Sequence, residues 1–400
     1  MRLIHTSDWH LGRTLHGADL LPYQAAFCDW LLAESISQRA DAVVIAGDVY
    51  DRAVPTTDAV AILDQVLSGF AAAAIPVLLI SGNHDSAIRL GFGSRLSEAA
   101  GVHLRTSPGD IARPVVLTDE HGEIALYGIP YLLPDAVMTE LAADRSHASV
   151  LSAATALIRA DAAQRGIERT IVTAHAFVTG AQPSDSERDI RVGGVGDAPA
   201  SVFAGLSYVA LGHLHGQQNV PGPVPADKGG VGAIRYSGSP LAFSFSERHH
   251  AKSVTLAEID AAGGVTTTKL PAPVPRPLRQ LRGTLDDLLA LTDPELADAW
   301  IKVVLTDAVR PAAPMERLRE RWPHTLVLDF APAGALTSAE ADPRRRPQAS
   351  DPVEICKRFV EFTSGGEPDD EQLAVLTDVI ETVQHADAAD SGSLAMEAAA

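Results

Sequence analysis

The stretch Ile75–Leu90, "IPVLLISGNHDSAIRL", sets an amide, an imidazole and a carboxylate at the mouth of a buried strand. Five of the six residues Ile75–Ile80 are apolar, the pattern of a strand covered on both faces. Gly82, Asn83, His84 and Asp85 follow at once. The same punctuation recurs along the chain. Apolar, β-branched runs at Leu3–His5, Ala42–Ala46, Ile124–Ile129, Thr170–Thr173 and Tyr208–Leu211 are separated by helical segments or loops, which predicts a layered α/β domain. Two later runs, Ala233–Tyr236 and Ser253–Ile259, lack a long helix between them and read as sheet edges or a hairpin.

What ends each strand carries the chemistry. The first run leads to Asp8 and His10, the second to Asp48 and Asp51, the third to Asn83, His84 and Asp85, a later one to His175, and the last to His213 and His215. In a parallel sheet the carboxyl ends of the strands share one rim, so these residues are expected to converge. Carboxylates, imidazoles and one amide oxygen suit divalent ions such as Mn, Fe or Zn, and the lack of cysteine among them argues against a thiolate site. Asp8, His10, Asp48, Asn83, His175, His213 and His215 are too many ligands for one ion. Two ions about 3.5–4 Å apart, with Asp48 bridging, fit the set and would suit an in-line phosphoryl displacement.

Bulk composition bounds the rest. A chain of 400 residues, 46% hydrophobic and 21% charged, is long enough for two or three domains. The start "MRLIHTSDWH" has no apolar leader, and the longest apolar run, Phe70–Ile80, is broken by Pro76, so neither a signal peptide nor a membrane span is expected. Cys28 and Cys356 match no disulfide framework, which favours a cytoplasmic setting. The net charge of −19 opposes nucleic-acid binding at first sight, but residues 361–400 hold ten Asp or Glu and no Lys or Arg. The Pro-rich "PAPVPRPLRQL" at 271–281 reads as a linker, followed by a strand, helix, strand order in "WIKVVL", "MERLRERW" and "TLVLDF". A second linker at 335–351 precedes two amphipathic helices, with Leu373, Leu376, Ile380 and Val383 on one face of the last.

The series D-x-H, G-D-x-x-D, G-N-H-D, a lone His and G-H-x-H resembles the calcineurin-like metallophosphoesterases. The longer strings "HTSDWHLGRTLHGADLLPYQ", "SDSERDIRVGG", "YVALGHLHGQQ" and "RYSGSPLAFSFSE" are similar to the SbcD family, nuclease subunits of bacterial SbcCD complexes, over about residues 1–335. This resemblance implies an α/β metallophosphoesterase sandwich at 1–270, a small α/β capping domain at 276–335 that touches duplex DNA, and C-terminal helices at 351–385; the tail at 386–400, low in bulky apolar residues, reads as disordered. It implies two divalent ions, Mn2+ first among them. Asp8, His10, Asp48 and His215 would hold one ion, and Asp48, Asn83, His175 and His213 the other. His84 would be the catalytic histidine, with Asp85 orienting its ring and Asp51 standing behind the site. Arg13, His16, Arg89 and Arg188 are candidates to meet phosphates. The implied partners are an SbcC-type coiled-coil ATPase, docked on the terminal helices, DNA ends and hairpins, and a second copy of the chain; no membrane is implied. The activity expected is double-strand exonuclease and single-strand or hairpin endonuclease in DNA repair, recombination and replication. A small-molecule phosphodiesterase would share the metal motifs, as would a non-catalytic scaffold for the ATPase. The cap and terminal helices speak against the first, and the complete ligand set against the second.

Overall fold

The computed structural model describes residues 1–187, 197–221, 233–332, 356–357, 359–360 and 366–379. Contacts divide the chain into two units, Met1–Pro277 and Leu278–Ala400.

The first unit is built on two six-stranded sheets. One runs in the order Val265–Pro271, Ser253–Ile259, Arg2–Thr6, Ala42–Ala46, Val77–Ile80, Val102–Arg105. The other runs Gln218–Val220, Ala233–Tyr236, Tyr208–Gly212, Thr170–His175, Gly122–Ile129, Val115–Asp119. Side chains alternate across each strand, and here both faces are apolar because both are covered. Leu3, Val44 and Leu78 face inward onto Leu126, Ile171, Tyr208 and Ala210 of the opposite sheet. Their neighbours Ile4, Val43, Ile45 and Val77 face outward onto Phe27, Leu31, Val66 and Phe70. Those last four belong to helices Leu21–Ser37 and Thr57–Ala72. On the far side, Tyr127, Val172 and Val209 are covered by Val150, Leu151, Ala154 and Ile158 of helix His147–Arg165. The result is a four-layer α/β/β/α sandwich. Each fully buried Leu, Ile, Val or Phe contributes about 1.5–3 kcal/mol relative to exposure.

Two of the helices begin at side-chain caps that their sequences mark. Thr56 Oγ1 accepts the Ala59 N–H at 3.3 Å to cap Thr57–Ala72, and Ser146 Oγ accepts the Ser149 N–H at 3.1 Å to cap His147–Arg165. Gly166, at φ 72°, closes the latter in the left-handed conformation. In the first sheet the parallel strands are in register at their carboxyl ends, with Thr6 beside Ile45 and Ala46 beside Ile80. In the second, His175 lies beside Gly212. The chain therefore leaves both sheets at matched levels.

Two expectations change. Ala233–Tyr236 and Ser253–Ile259 form neither a hairpin together nor sheet edges: each is the second strand of a different sheet. Ser253–Ile259 makes its hairpin with Val265–Pro271, over a turn where Asp260 Oδ1 takes the Ala262 and Gly264 N–H groups. The Pro-rich seam is also shorter than it reads. Pro271 ends one strand and Leu278–Gly283 is already another, pairing in parallel with Trp300–Leu305, and Leu281 packs against the second unit's core.

That second unit holds a three-stranded parallel sheet, Leu278–Gly283, Trp300–Leu305 and Thr325–Phe330 in order, with helices Leu285–Leu289 and Pro314–Arg321. Ile301, Val303 and Leu305 pack with Leu288, Leu318 and Trp322. Backbone at 370–379 is helical, while the expected tail at 386–400 and most of the preceding helix lie outside the described residues. Among the described residues no helix is long and apolar enough to cross a membrane.

Candidate metal centre

Asp8, His10, Asp48, Asn83, His175, His213 and His215 come together at the carboxyl ends of the strands of both sheets. Asp8, His10 and His215 offer ligand atoms within 4.8 Å of one another, as do Asp8, Asp48 and His175. His10 Nε2 stands 3.1 Å from His215 Nε2 and 3.6 Å from Asp48 Oδ2. On the other side of Asp48, His175 Nε2 lies 3.5 Å from Asp48 Oδ2 and 2.9 Å from Asn83 Oδ1. His213 Nδ1 joins that side at 3.2 Å from Asn83 Oδ1. Asp48 is thus the residue common to both groups. Asp8 is steadied by the Ser7 hydroxyl at 2.5 Å and the His213 N–H at 3.0 Å.

The backbone is bent to deliver these side chains. Asp8, His10, Asp48 and His213 all have positive φ, at 55°, 46°, 50° and 106°. Such conformations cost on the order of 1–3 kcal/mol each and cluster where function requires them. Glycines 47, 82 and 212 do more than serve turns. A Cβ on Gly212 would fall 1.9 Å from the Ala46 carbonyl oxygen, and one on Gly82 would fall 2.1 Å from Asp48 Oδ1.

Buried charge makes the cluster a place for cations. Burial pushes the Asp8 carboxyl up to about 6, against the pull of His175 and His215. His175 is buried as well, which disfavours its charge, yet the Asp48 carboxylate carries it up to about 9. Asp48 in turn is held well below the usual carboxylate range by His175 despite its own burial. Two buried polar atoms in the cluster, His10 Nδ1 and Asn83 Nδ2, find no hydrogen-bond partner among the described residues. An oxygen and nitrogen donor set of this kind, dense and short of partners, fits divalent ions.

Asp85 takes a different role from the one its position suggests. Its Oδ2 accepts from Val49 N and Gly82 N at 3.1 and 2.9 Å, and its Oδ1 from Tyr50 N at 2.9 Å. Burial, with Asp48 nearby, raises it to about 7. It ties together the two turns that present Asp48 and Asn83. The His84 ring is oriented instead by the carbonyl of Asp51, 2.8 Å from Nδ1. His84 also lies within ligand reach of His10 and Asp48.

The Calcineurin-like phosphoesterase family profile matches residues 1–217, and the Type 5 capsule protein repressor C-terminal domain profile matches 274–364. The SbcD component of the SbcCD nuclease of Staphylococcus saprophyticus is 30% identical over 336 residues, 82% of this chain and 84% of that one. The chain belongs to the SbcD family of calcineurin-like phosphoesterases. Among solved structures, a dimetal phosphatase from Danio rerio is 13% identical, covering 68% of this chain and 96% of that one at a TM-score of 0.42. The calcineurin-like phosphoesterase YfkN from Bacillus subtilis is 12% identical, covering 68% and 90% at 0.36.

As an SbcD-family member the chain is a metal-dependent phosphoesterase, a hydrolase. Of the basic residues near its motifs, Arg13 sits over the Phe243 ring at 4.8 Å and donates to the Ser186 carbonyl at 2.8 Å. Arg89 donates to the Ala53 carbonyl at 2.9 Å, His16 stacks on Phe245, and Arg188 lies outside the described residues. Sequence reasoning missed Ser186, Glu187, Glu247 and Lys252, which stand behind His215. Three of these, Ser186, Glu187 and Glu247, lay inside the strings that carried the family resemblance, where nothing local marked their role.

Replacing Gly82 by Ala tests the packing around Asp48. Its new Cβ would also meet Asp48 N, at 2.3 Å, and a backbone atom in a buried turn has nowhere to move. Gly82→Ala is expected to bind less than half the divalent metal of the wild type by elemental analysis, even if the chain stays folded by circular dichroism.

Proposed function

We propose that this SbcD-family chain is the nuclease subunit of an SbcCD-type complex, cutting phosphodiester bonds in DNA with two divalent ions, Mn2+ first. Its reactions would be double-strand exonuclease and single-strand or hairpin endonuclease cleavage in repair and recombination. The observation that carries this is the gathering of all seven candidate ligands around Asp48, with His84 alongside. Asp8, His10, Asp48 and His215 would hold one ion; Asp48, Asn83, His175 and His213 the other. Bound ions of this kind supply Lewis-acid charge to a phosphate and acidify a water.

The chain's own part is to position and to donate. A carbonyl only accepts, so the Asp51 contact requires a hydrogen on His84 Nδ1. A second ring proton, on Nε2, is then assigned to the departing sugar oxygen, as general acid or as a hydrogen bond to developing charge. The His84 backbone N–H is held by Asp48 Oδ1 at 2.9 Å.

Two assembly surfaces support the partners of the proposal. The short helices Ala87–Leu90 and Ser94–Ser97, with the turn between them, expose Ile88, Phe92 and Leu96 at 89%, 88% and 82%. Adjacent exposed apolar side chains of that size mark an interaction site, assigned here to a second copy. The helical backbone at 370–379 exposes Val375 and Val379, at 59% and 54%, one turn apart. That face is assigned to the coiled-coil ATPase.

His84→Gln is expected to keep DNA binding and metal content while lowering the cleavage rate roughly 10²- to 10⁴-fold, the range of a positioned proton donor. His213→Gln should lose metal as well. A His84 variant that loses an ion would make His84 a ligand. Ile88→Asp with Phe92→Asp is expected to halve the mass in light scattering; an unchanged mass places the self-contact elsewhere. Val375→Glu with Val379→Glu should abolish copurification with the ATPase and leave Mn2+-dependent cleavage by the free chain intact.

A further inference from the structure

Two histidines of the centre, His175 and His215, are held from behind in different ways. His175 Nδ1 lies 2.8 Å from the Ala46 carbonyl, a backbone acceptor that no side-chain change removes. His215 is held through side chains. Its Nδ1 is 2.5 Å from Ser186 Oγ, and Ser186 Oγ is 2.6 Å from Glu247 Oε1. Glu247 Oε2 pairs with the Lys252 ammonium. All four residues are buried.

The protons of this chain have one arrangement. Glu247, paired with Lys252 and taking the Phe243 N–H at 3.0 Å, is a carboxylate and only accepts. Ser186 has one hydroxyl hydrogen and three near neighbours, Glu247 Oε1 at 2.6 Å, His215 Nδ1 at 2.5 Å and Ser184 Oγ at 2.9 Å; the carboxylate cannot donate, so the hydrogen goes to Glu247. The serine lone pair then faces His215 Nδ1, which must carry the ring hydrogen. Nε2 is left with its lone pair, 3.1 Å from His10 Nε2. The main chain is gripped too: the His215 N–H reaches Glu187 Oε1 at 2.7 Å, and its carbonyl takes Lys252 Nζ at 3.1 Å.

We infer that Ser186 and Glu247 are positioning residues that fix His215 in its Nδ1–H tautomer and aim Nε2 at the ion shared with Asp8 and His10. The ion at His215 then depends on a side-chain relay from residues far along the chain, whereas His175 at the other ion is held by backbone, so the His215 ion is the one more easily lost. This rests on the two-ion reading above. Outer partners of metal-bound histidines set ring orientation and ligand basicity, and removing one weakens affinity roughly 10- to 100-fold.

The test is Ser186→Ala in the full-length chain, with Mn2+ titrated into metal-free protein by calorimetry and electron paramagnetic resonance. One class of site should weaken roughly 10- to 100-fold while the other is unchanged. The spin-coupled pair seen at two equivalents in the wild type should give way to a single-ion spectrum. Ser186→Thr, which keeps the hydroxyl, should restore the pair. Glu247→Gln should act in the same direction, read beside its melting curve because it leaves Lys252 without its counter-charge. Unchanged affinities in Ser186→Ala, or equal weakening of both sites, would overturn the relay. A wild type that takes up fewer than two Mn2+ fails at the two-ion reading instead. The ring 15N shifts of His215 in metal-free protein then decide the relay alone: an Nδ1–H ring in the wild type that is lost in Ser186→Ala supports it, and a tautomer that does not change overturns it.

Discussion

How closely two sheets can approach at one point governs this molecule. The Ala46 carbonyl, leaving the first sheet, lies where a side chain on Gly212 of the second would have to be, and the same carbonyl takes Nδ1–H of His175. Gly47, at φ 83°, then turns the chain so that Asp48 sits under Gly82. A Cβ at Gly47 would meet the His175 ring at 2.6 Å. Three glycines from three strand ends therefore set how closely the ligands of the first sheet approach those of the second. Any wider spacing would separate Asp8, His10, Asp48 and Asn83, which follow strands of the first sheet, from His175, His213 and His215, which follow strands of the second.

The sandwich supplies the energy for that arrangement. Four of the seven candidate ligands have positive φ, and the carboxylates and imidazoles are almost wholly withdrawn from water. Both features cost free energy, of order several kcal/mol together. Apolar layers on both faces of both sheets offset it. Metal binding is linked to the same account: imidazoles and carboxylates hold an ion only in their deprotonated forms, so uptake of ions releases protons and weakens as pH falls.

The chain's acidity does not conflict with a nucleic-acid substrate. Of the net −19, ten negative charges belong to residues 361–400, and bound cations would neutralise the buried carboxylates of the centre. What a phosphate would meet is the local field, not the sum over the chain.

Strand runs and the residues ending them are local features, so the sequence alone determined the α/β class, the strands that carry the candidate ligands and the identity of the side chains that follow them, while Val102–Arg105, Val115–Asp119 and Val265–Pro271 went unread and Leu278–Gly283 read as linker. Period and residue type are enough for that. It could not say which strand joins which sheet, since Ala233–Tyr236 and Ser253–Ile259 look alike in isolation and only pairing across the chain separates them. Nor could it say that Asp85 serves backbone N–H groups of residues 49, 50 and 82 while the Asp51 carbonyl orients His84, because a backbone group has no sequence signature. The relay behind His215 joins residues 29 and 61 apart along the chain. Tertiary structure decided these, since hydrogen bonds depend on distances in space that the folded sheets impose and the order of residues does not.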